Sequence, residues 1–154
     1  MEILSSLDLG SEIKAVISDD KIVYVSLEDG RIVYFSINDM TEGSMREIQE
    51  KNSDQYMSLL KLSKDKSFLI GYVDIDNLES FYVYNTIKNQ RIWEGNLDLA
   101  GYEIREDPDK LITISEDNLN VYARSANSKG VTMYSLFDGS VVVDNPSMHT
   151  NYLY

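Results

Sequence analysis

The sequence contains no cysteine and a single histidine among its 154 residues. The absence of cysteine excludes a disulfide framework, a catalytic thiolate and any zinc site that needs sulfur ligands. The one imidazole, His149, would have to act as the base of any serine-type triad, and no Gly-x-Ser-x-Gly sequence accompanies it. We therefore expect His149 to be a surface or packing residue, and we predict no catalytic residues.

Positive charge and glycine-rich loops are also scarce. Lys and Arg number 14 against 26 Asp and Glu, which gives a formal net charge of −12. Such a chain repels a phosphate backbone, so no nucleic-acid partner is expected. The eight glycines are scattered singly, and no phosphate-binding loop indicates a nucleotide or other cofactor. The acidic charge favours solubility or the attraction of basic protein partners.

Long apolar runs are absent as well. No segment approaches the roughly 20 apolar residues of a membrane span. Residues 1–10 lack the basic region and apolar stretch of a secretory signal. We therefore expect no membrane partner and a location inside the cell, in the cytoplasm or the nucleus.

A strand-turn-strand pattern occurs three times, and each occurrence opens with an acidic turn that ends in Asp-Lys. The three lysines are Lys21, Lys66 and Lys110, which are 45 and 44 residues apart. A period of this size, carried by short apolar strands, is typical of a β-propeller with four-stranded blades. Eleven tyrosines and many short Val and Ile runs also favour strands.

The first repeat shows the pattern most clearly. Two apolar runs, residues 22–25 and 32–35, flank Asp29-Gly30. Asp-Gly between β-rich runs predicts a hairpin with a tight primed turn, which requires positive φ. Runs that are apolar on both alternating faces predict strands covered on both sides, as in packed propeller blades.

The predicted fold is all-β, with antiparallel four-stranded blades forming a single partial propeller over residues 1–154. We place the blades at about 12–50, 56–97 and 100–145, with residues 1–9 as a possible closing strand. Three to three and a half blades are fewer than the 4–8 of a closed ring. The chain is therefore expected to be incomplete by itself.

Tyr34, Tyr84 and Tyr134 define a second register, with intervals of 50 and 50 residues. They are expected to be equivalent residues that pack between blades. In the last blade, the third strand falls at 119–123 or at 131–136. We prefer 131–136, because that region matches the layout of the second repeat, and residues 115–130 then form a lengthened hairpin.

The segments "VYNTIKNQRIW" and "MYSLFDGSVVV" resemble the passage from third to fourth strand in WD-repeat propellers. The resemblance covers most of residues 12–145. The sequence has no Trp-Asp pair at the end of a third strand and no Gly-His pair at the start of a blade. The resemblance implies a rigid platform for protein–protein contacts without catalysis.

Two kinds of candidate site remain. Oxygen ligands alternate in one acidic segment, as in some calcium loops, although local turn formation is the preferred interpretation. The weak calcium candidates are Asp74, Asp76, Asn77 and Glu79. Trp93 is either a blade-packing residue or an interface anchor. The candidate interaction residues are Trp93, Ile3, Leu4, Tyr152, Leu153 and Tyr154.

The function indicated by these observations is a non-catalytic protein–protein interaction scaffold. Apolar blade faces at the two ends of an open array would be exposed to water, and this is rare for soluble monomers. We therefore predict that self-association, a partner or further blades complete the ring. The alternatives are a calcium-assisted hydrolase on a propeller scaffold and a lineage-specific structural protein, for example a viral one.

Overall fold

The computed structural model describes residues 6–51, 55–75, 78–97, 111–125 and 130–145. Within these ranges the chain forms twelve β-strands and no helix, and so no helix that could span a membrane. The strands are β1 (Ile13–Ser18), β2 (Ile22–Leu27), β3 (Ile32–Ser36), β4 (Arg46–Gln49), β5 (Leu59–Leu62), β6 (Phe68–Ile75), β7 (Leu78–Asn85), β8 (Gln90–Asn96), β9 (Ile112–Ile114), β10 (Asn120–Ser125), β11 (Gly130–Ser135) and β12 (Val141–Asn145).

The strands form three antiparallel sheets, in the orders β1-β2-β3-β4, β5-β6-β7-β8 and β9-β10-β11-β12. We call these sheets the first, second and third blades. β1 lies beside β5, and β4 lies beside β8, so equivalent edges of neighbouring blades meet. The first strand of every blade borders one central groove. The predicted all-β architecture of four-stranded antiparallel blades is confirmed.

Each blade has two faces, because successive side chains of a strand point in opposite directions. We call the face directed toward the following blade the forward face, and the opposite one the rear face. The forward face of the first blade packs on the rear face of the second through buried residues that include Tyr24, Ile32, Leu69, Tyr82 and Tyr84. Full burial of one such side chain contributes about 1.5–3 kcal/mol, so this interface is a main source of stability.

The second and third blades meet in the same way. From the second blade, the buried residues are Phe68, Ile70, Tyr72, Phe81 and Val83. From the third blade, the buried residues include Ile112, Val121, Ala123 and Leu136. The second blade is therefore covered on both faces, as its continuous apolar runs predict.

The hairpin between β2 and β3 has a different turn from the predicted primed one. Gly30 has a φ of 86°, and Asp29 does not have positive φ. The Gly30 N–H donates to the Leu27 carbonyl at 3.0 Å, and the Leu27 N–H donates to the Arg31 carbonyl at 2.9 Å. This is the three-residue loop in which a type I turn is followed by a glycine in the left-handed region. Glycine is needed at one position only.

The turn between the first and second strands repeats in all three blades, around Asp19, Asp65 and Asp117. Each aspartate accepts, through Oδ1, the backbone N–H two residues later, at 2.6, 3.1 and 3.0 Å. Those later residues are equivalent, because the carbonyls of Lys21, Ser67 and Leu119 each accept an N–H from the β3–β4, β7–β8 or β11–β12 turn.

The Asp-Lys alignment of the sequence is therefore wrong in detail. Lys21 is equivalent to Ser67, and Lys66 is equivalent to Asp20 in the first blade. Lys110 lies outside the described residues and precedes β9, whereas the equivalent turn of the third blade follows β9. The first turn, residues 19–21, is also two residues shorter than the second, residues 63–67.

The tyrosine register needs a similar correction. Tyr84 pairs with Leu69 and Tyr134 pairs with Val121, and both tyrosines pack toward the preceding blade. In the first blade Phe35 has this position, while Tyr34 points forward and packs on Tyr24 with ring centroids 5.6 Å apart. The equivalence of Tyr34 with the other two tyrosines is therefore wrong.

In the third blade, β11 at Gly130–Ser135 agrees with the preferred third strand. The hairpin predicted for residues 115–130 is wrong, because β10 at Asn120–Ser125 is a complete second strand within it.

Trp93 ties the second blade to the third. Its Nε1–H donates to the Leu136 carbonyl at 2.8 Å, and its ring packs on Phe81 and Tyr134 with centroids 5.4 and 5.9 Å apart. A Cβ added to Gly139 would lie 2.7 Å from the Trp93 ring. Glycine at this turn is therefore required both by a φ of 72° and by close approach to the indole.

We predict that Gly95→Ala destabilises the protein by about 1–3 kcal/mol, the usual cost of overpacking. The new Cβ would lie 2.4 Å from the ring of Phe81, a side chain that is fully buried and cannot move aside. Gly43→Ala is the matched control, because its nearest neighbour is Thr41 Oγ1 at 4.0 Å. Thermal or urea unfolding checks this, and equal stability of the two variants would contradict the packing described for Phe81.

We also predict that Trp93→Phe lowers the free energy of unfolding by about 1–3 kcal/mol, because the Leu136 carbonyl loses its donor from the indole. Trp93 is the only tryptophan, so its fluorescence in the wild-type protein reports on the junction of the second and third blades. Unfolding monitored by this fluorescence should coincide with unfolding monitored by circular dichroism. An unchanged stability in Trp93→Phe would show that the hydrogen bond contributes nothing.

Candidate interaction surfaces

The forward face of the third blade is more exposed to water than the equivalent face of the second blade. Val121, Ala123 and Tyr134 pack toward the second blade, so the alternate residues face away from it. These are Tyr122, Arg124, Val131 and Met133, and all are half-buried. The equivalent residues of the second blade, Ile70, Tyr72, Phe81 and Val83, are at most 2% exposed.

The rear face of the first blade is closed, in contrast to the prediction that both ends of the array are exposed. Val25, Leu27, Val33 and Phe35 are at most 5% exposed on this face. Side chains from the segment before β1 and from the β3–β4 turn pack against them, namely Leu7, Leu9, Met40 and Met45. The segment is anchored by Arg31, whose Nη2 donates to the Leu9 carbonyl at 2.8 Å. The two ends of the array are therefore unlike.

The central groove has a volume of about 420 Å³. Its lining consists of Val16, Ile17, Leu59, Leu60, Lys61, Leu62, Thr113 and Ile114. The Lys61 Nζ donates to the Ile112 carbonyl at 2.6 Å, so this amine bridges the second and third blades. Ligand pockets usually combine apolar walls with several convergent polar groups. Lys61 and Thr113 alone carry polar side chains here, and we assign no ligand to the groove.

One edge of the array carries the turns between first and second strands and between third and fourth strands. We call it the turn edge. Lys66 crosses between blades there, with its Nζ 2.5 Å from Asp20 Oδ1 and 3.5 Å from Asp19 Oδ2. The hydrogen bond from Lys66 lowers the pKa of Asp20. One blade further on, the Asp65 N–H donates to the Asn118 side-chain oxygen at 3.3 Å. Equivalent residues thus link successive blades.

The turn edge also exposes large apolar side chains. Leu119, Phe137 and Ile87 are 49%, 60% and 82% exposed. The pattern analysis of the sequence missed these residues, because a turn residue and a strand residue look alike in a short apolar run. A repeated Ser-x-Asp, at Ser63-Lys64-Asp65 and Ser115-Glu116-Asp117, was the signal that would have located the turns.

The sequence-predicted interaction residues are not brought together by the described structure. Trp93 is half-buried, and its contacts lie at the junction of the second and third blades. Contact between Trp93 and a partner stays a prediction. Ile3, Leu4, Tyr152, Leu153, Tyr154 and His149 lie outside the described residues.

The calcium candidates lie at the β6–β7 hairpin. Asp74 pairs with Glu79 in the strand register, while Asp76 and Asn77 lie outside the described residues. Among the residues that the structure describes, no group of three or more His, Cys, Asp or Glu side chains is placed to hold a metal ion. The calcium site stays a prediction without structural support.

Comparison with known proteins identifies the architecture. No protein-family profile and no curated protein sequence matches the chain. Solved structures do match. The WD40 repeats of RRP9 are 13% identical, with a TM-score of 0.59, over 89% of this chain and 39% of RRP9. A eukaryotic initiation factor is 10% identical, with a TM-score of 0.63, over 92% of this chain and 34% of its own.

The computationally designed Ika4 protein is 16% identical, with a TM-score of 0.58, over 97% of this chain and 81% of Ika4. The chain thus spans about two fifths of the length of the RRP9 domain and a larger part of the designed protein. Identities this low establish the fold alone. The chain is similar to WD-repeat propellers in fold, and its described residues form three four-stranded blades of that kind.

Proposed function

We propose that the protein is a non-catalytic protein-interaction scaffold whose third blade receives a fourth sheet on its forward face. One observation carries this proposal: Tyr122, Val131 and Met133 are half-buried, while the equivalent positions of the second blade are fully covered by a neighbouring blade. Burying apolar surface is favourable in proportion to its area. A further four-stranded sheet is the shape that covers such a face elsewhere in this chain.

Three sources can supply that sheet. The first source is a second copy of this chain. The rear face of its first blade, with Leu7 and Leu9, would pack against the third blade, and two copies together would form a six-blade ring. The contact would be heterologous, because different faces of the two copies meet. Another protein or further blades of a longer chain would serve equally. Such a scaffold fits the proposed intracellular location and a protein partner.

The turn at Glu116–Asp117 bears on the choice of partner. Asp117 is equivalent to Asp19, which Lys66 of the following blade approaches to 3.5 Å, so a fourth sheet would pack on the side of this turn. The carboxylates of Glu116 and Asp117 have no Lys or Arg ion pair among the described residues. A net charge of −12 on each copy also opposes self-association. These observations support a partner with basic residues.

The wild-type chain is expected to show one of two results in light scattering and hydrophobic-dye binding. It either assembles beyond 17.6 kDa, or it remains a monomer that binds the dye. Met133→Glu should remove the assembly or lower the dye signal, because a carboxylate on the forward face opposes apolar contact. Ile87→Glu is the control, since Ile87 is 82% exposed at the turn edge.

Circular dichroism and thermal melting establish that each variant is folded. If Met133→Glu does not fold, Tyr122→Ala is used in the same two measurements. A stable wild-type monomer that binds no dye would contradict the proposal. So would a Met133→Glu variant that behaves like the wild type in both assays.

A further inference from the structure

Two exposed apolar residues stand on neighbouring turns at the turn edge of the third blade. Leu119 belongs to the β9–β10 turn and Phe137 to the β11–β12 turn. The two turns are joined, because the Leu136 N–H donates to the Leu119 carbonyl at 2.9 Å. We call Leu119, Phe137 and the flanking Glu116, Asp117 and Asp138 the turn patch. Its apolar residues belong to turns, whereas the forward face of the third blade is formed by strand residues such as Tyr122 and Met133.

The turn patch is held rigidly. Leu136, directly before Phe137, is fully buried, and its carbonyl accepts the Trp93 indole N–H at 2.8 Å. The Phe137 ring meets the ring of buried Phe68 edge-on, with centroids 5.3 Å apart and an interplanar angle of 89°. An aromatic side chain that is already positioned loses little freedom on binding. Rigid aromatic side chains of this kind are frequent anchors of protein interfaces.

The charged residues of these two turns are all acidic, namely Glu116, Asp117 and Asp138. A hydrogen bond from the Ser115 hydroxyl lowers the pKa of Asp117, and the Ser140 backbone N–H lowers the pKa of Asp138. Both carboxylates are therefore ionised near neutral pH. In the part of the chain that the structure describes, neither of them, nor Glu116, forms an ion pair with Lys or Arg.

The second blade provides a natural comparison. Ile87 has the position of Phe137 in the equivalent turn and is 82% exposed. The following residue is Lys88, where the third blade has Asp138. Exposed apolar residues therefore occur in both turns, but only the third blade combines a packed aromatic ring with unpaired acidic neighbours among the described residues.

We infer that the turn patch binds a short peptide segment in which an apolar side chain lies between Lys or Arg residues. The apolar side chain packs on Phe137 and Leu119, and the flanking cations approach Glu116, Asp117 and Asp138. Opposite charge at the rim chiefly raises the association rate and the specificity. An acidic surface of this kind repels nucleic acid and anionic lipid, so a basic peptide is the occupant that fits.

The test uses the intact chain and a phage-displayed library of random dodecapeptides. Selected peptides are synthesised with a fluorescein label, and their affinities are measured by fluorescence anisotropy. We expect the selected peptides to share a Lys or Arg on each side of an apolar residue. Phe137→Ser should weaken their binding by about tenfold or more, as for a central anchor. Asp138→Lys should weaken it too, and the wild-type affinity should fall with added salt.

Ile87→Ser is the matched control, and it should leave the affinity unchanged. Met133→Glu should also leave it unchanged, which separates this inference from the proposed fourth sheet. Asp138→Lys alters an exposed side chain and keeps the test valid if Phe137→Ser fails to fold. Three results would overturn the inference: no enriched peptides, equal binding by Phe137→Ser and wild type, or a wild-type dimer that Phe137→Ser converts to a monomer.

Discussion

The burial of both faces of the second blade is the constraint on which the rest of the structure depends. Leu69 and Tyr84 on its rear face, and Phe81 and Val83 on its forward face, are fully buried. An isolated sheet of four strands would leave at least one of these faces in water. The second blade is therefore stable only with a blade on each side. One face of the first blade and one face of the third blade cover it.

The unlike ends of the array follow from this arrangement. The first blade uses its own chain to close its rear face, since the segment around Leu9 lies where a preceding blade would pack. Met57 has the same role between the first and second blades. It precedes β5, is fully buried and donates its N–H to Ser26 Oγ at 3.0 Å. Residues before the first strand of a blade thus fill the space between blades. The forward face of the third blade has only half-buried side chains.

Much of the fold could be predicted from the sequence, for a physical reason. Short apolar runs such as residues 22–25 and 81–84 need cover on both faces, and packed blades provide it. Strands β1 and β5 were not predicted, because inner strands border the central groove and keep some apolar side chains in water. In β1, the side chains of Ile13 and Val16 are 52% and 56% exposed. Their pattern is therefore less regular than that of the buried strands.

The register between blades could not be predicted, because it depends on turn length. Tyr34 lies on the opposite face from Tyr84 and Tyr134, although their spacing in the sequence is equal. The connections between strands differ in length from blade to blade, with nine residues between β3 and β4 and four between β7 and β8. A shift of one residue reverses every side chain of a strand. The turn patch was missed for a related reason. Leu119 and Phe137 are 18 residues apart, and their turns meet because β10 pairs with β11, with Asn120 opposite Ser135, and because the Leu136 N–H donates to the Leu119 carbonyl.

The link between Lys66 and Asp20 indicates which residue of a fourth sheet would meet the third blade. Each blade uses the residue after its turn aspartate to reach the preceding blade: Lys66 contacts Asp20, and Asn118 contacts the backbone of Asp65. A fourth sheet that follows this rule would place its own equivalent residue beside Asp117 and Asn118, the positions that correspond to Asp19 and Asp20.

A cation at that position would be stabilised by Asp117, as Lys66 is by Asp19, whose Oδ2 lies 3.5 Å from the Lys66 Nζ. In a second copy of this chain the equivalent residue is Asp20, an acid, which would meet the acidic turn of the third blade and be repelled. Lys21 follows it, but its position is equivalent to Ser67, which contacts its own turn aspartate through the backbone. The charge pattern of the turns therefore favours a fourth sheet from a different sequence, with Lys or Arg after its turn aspartate, over closure by an identical copy.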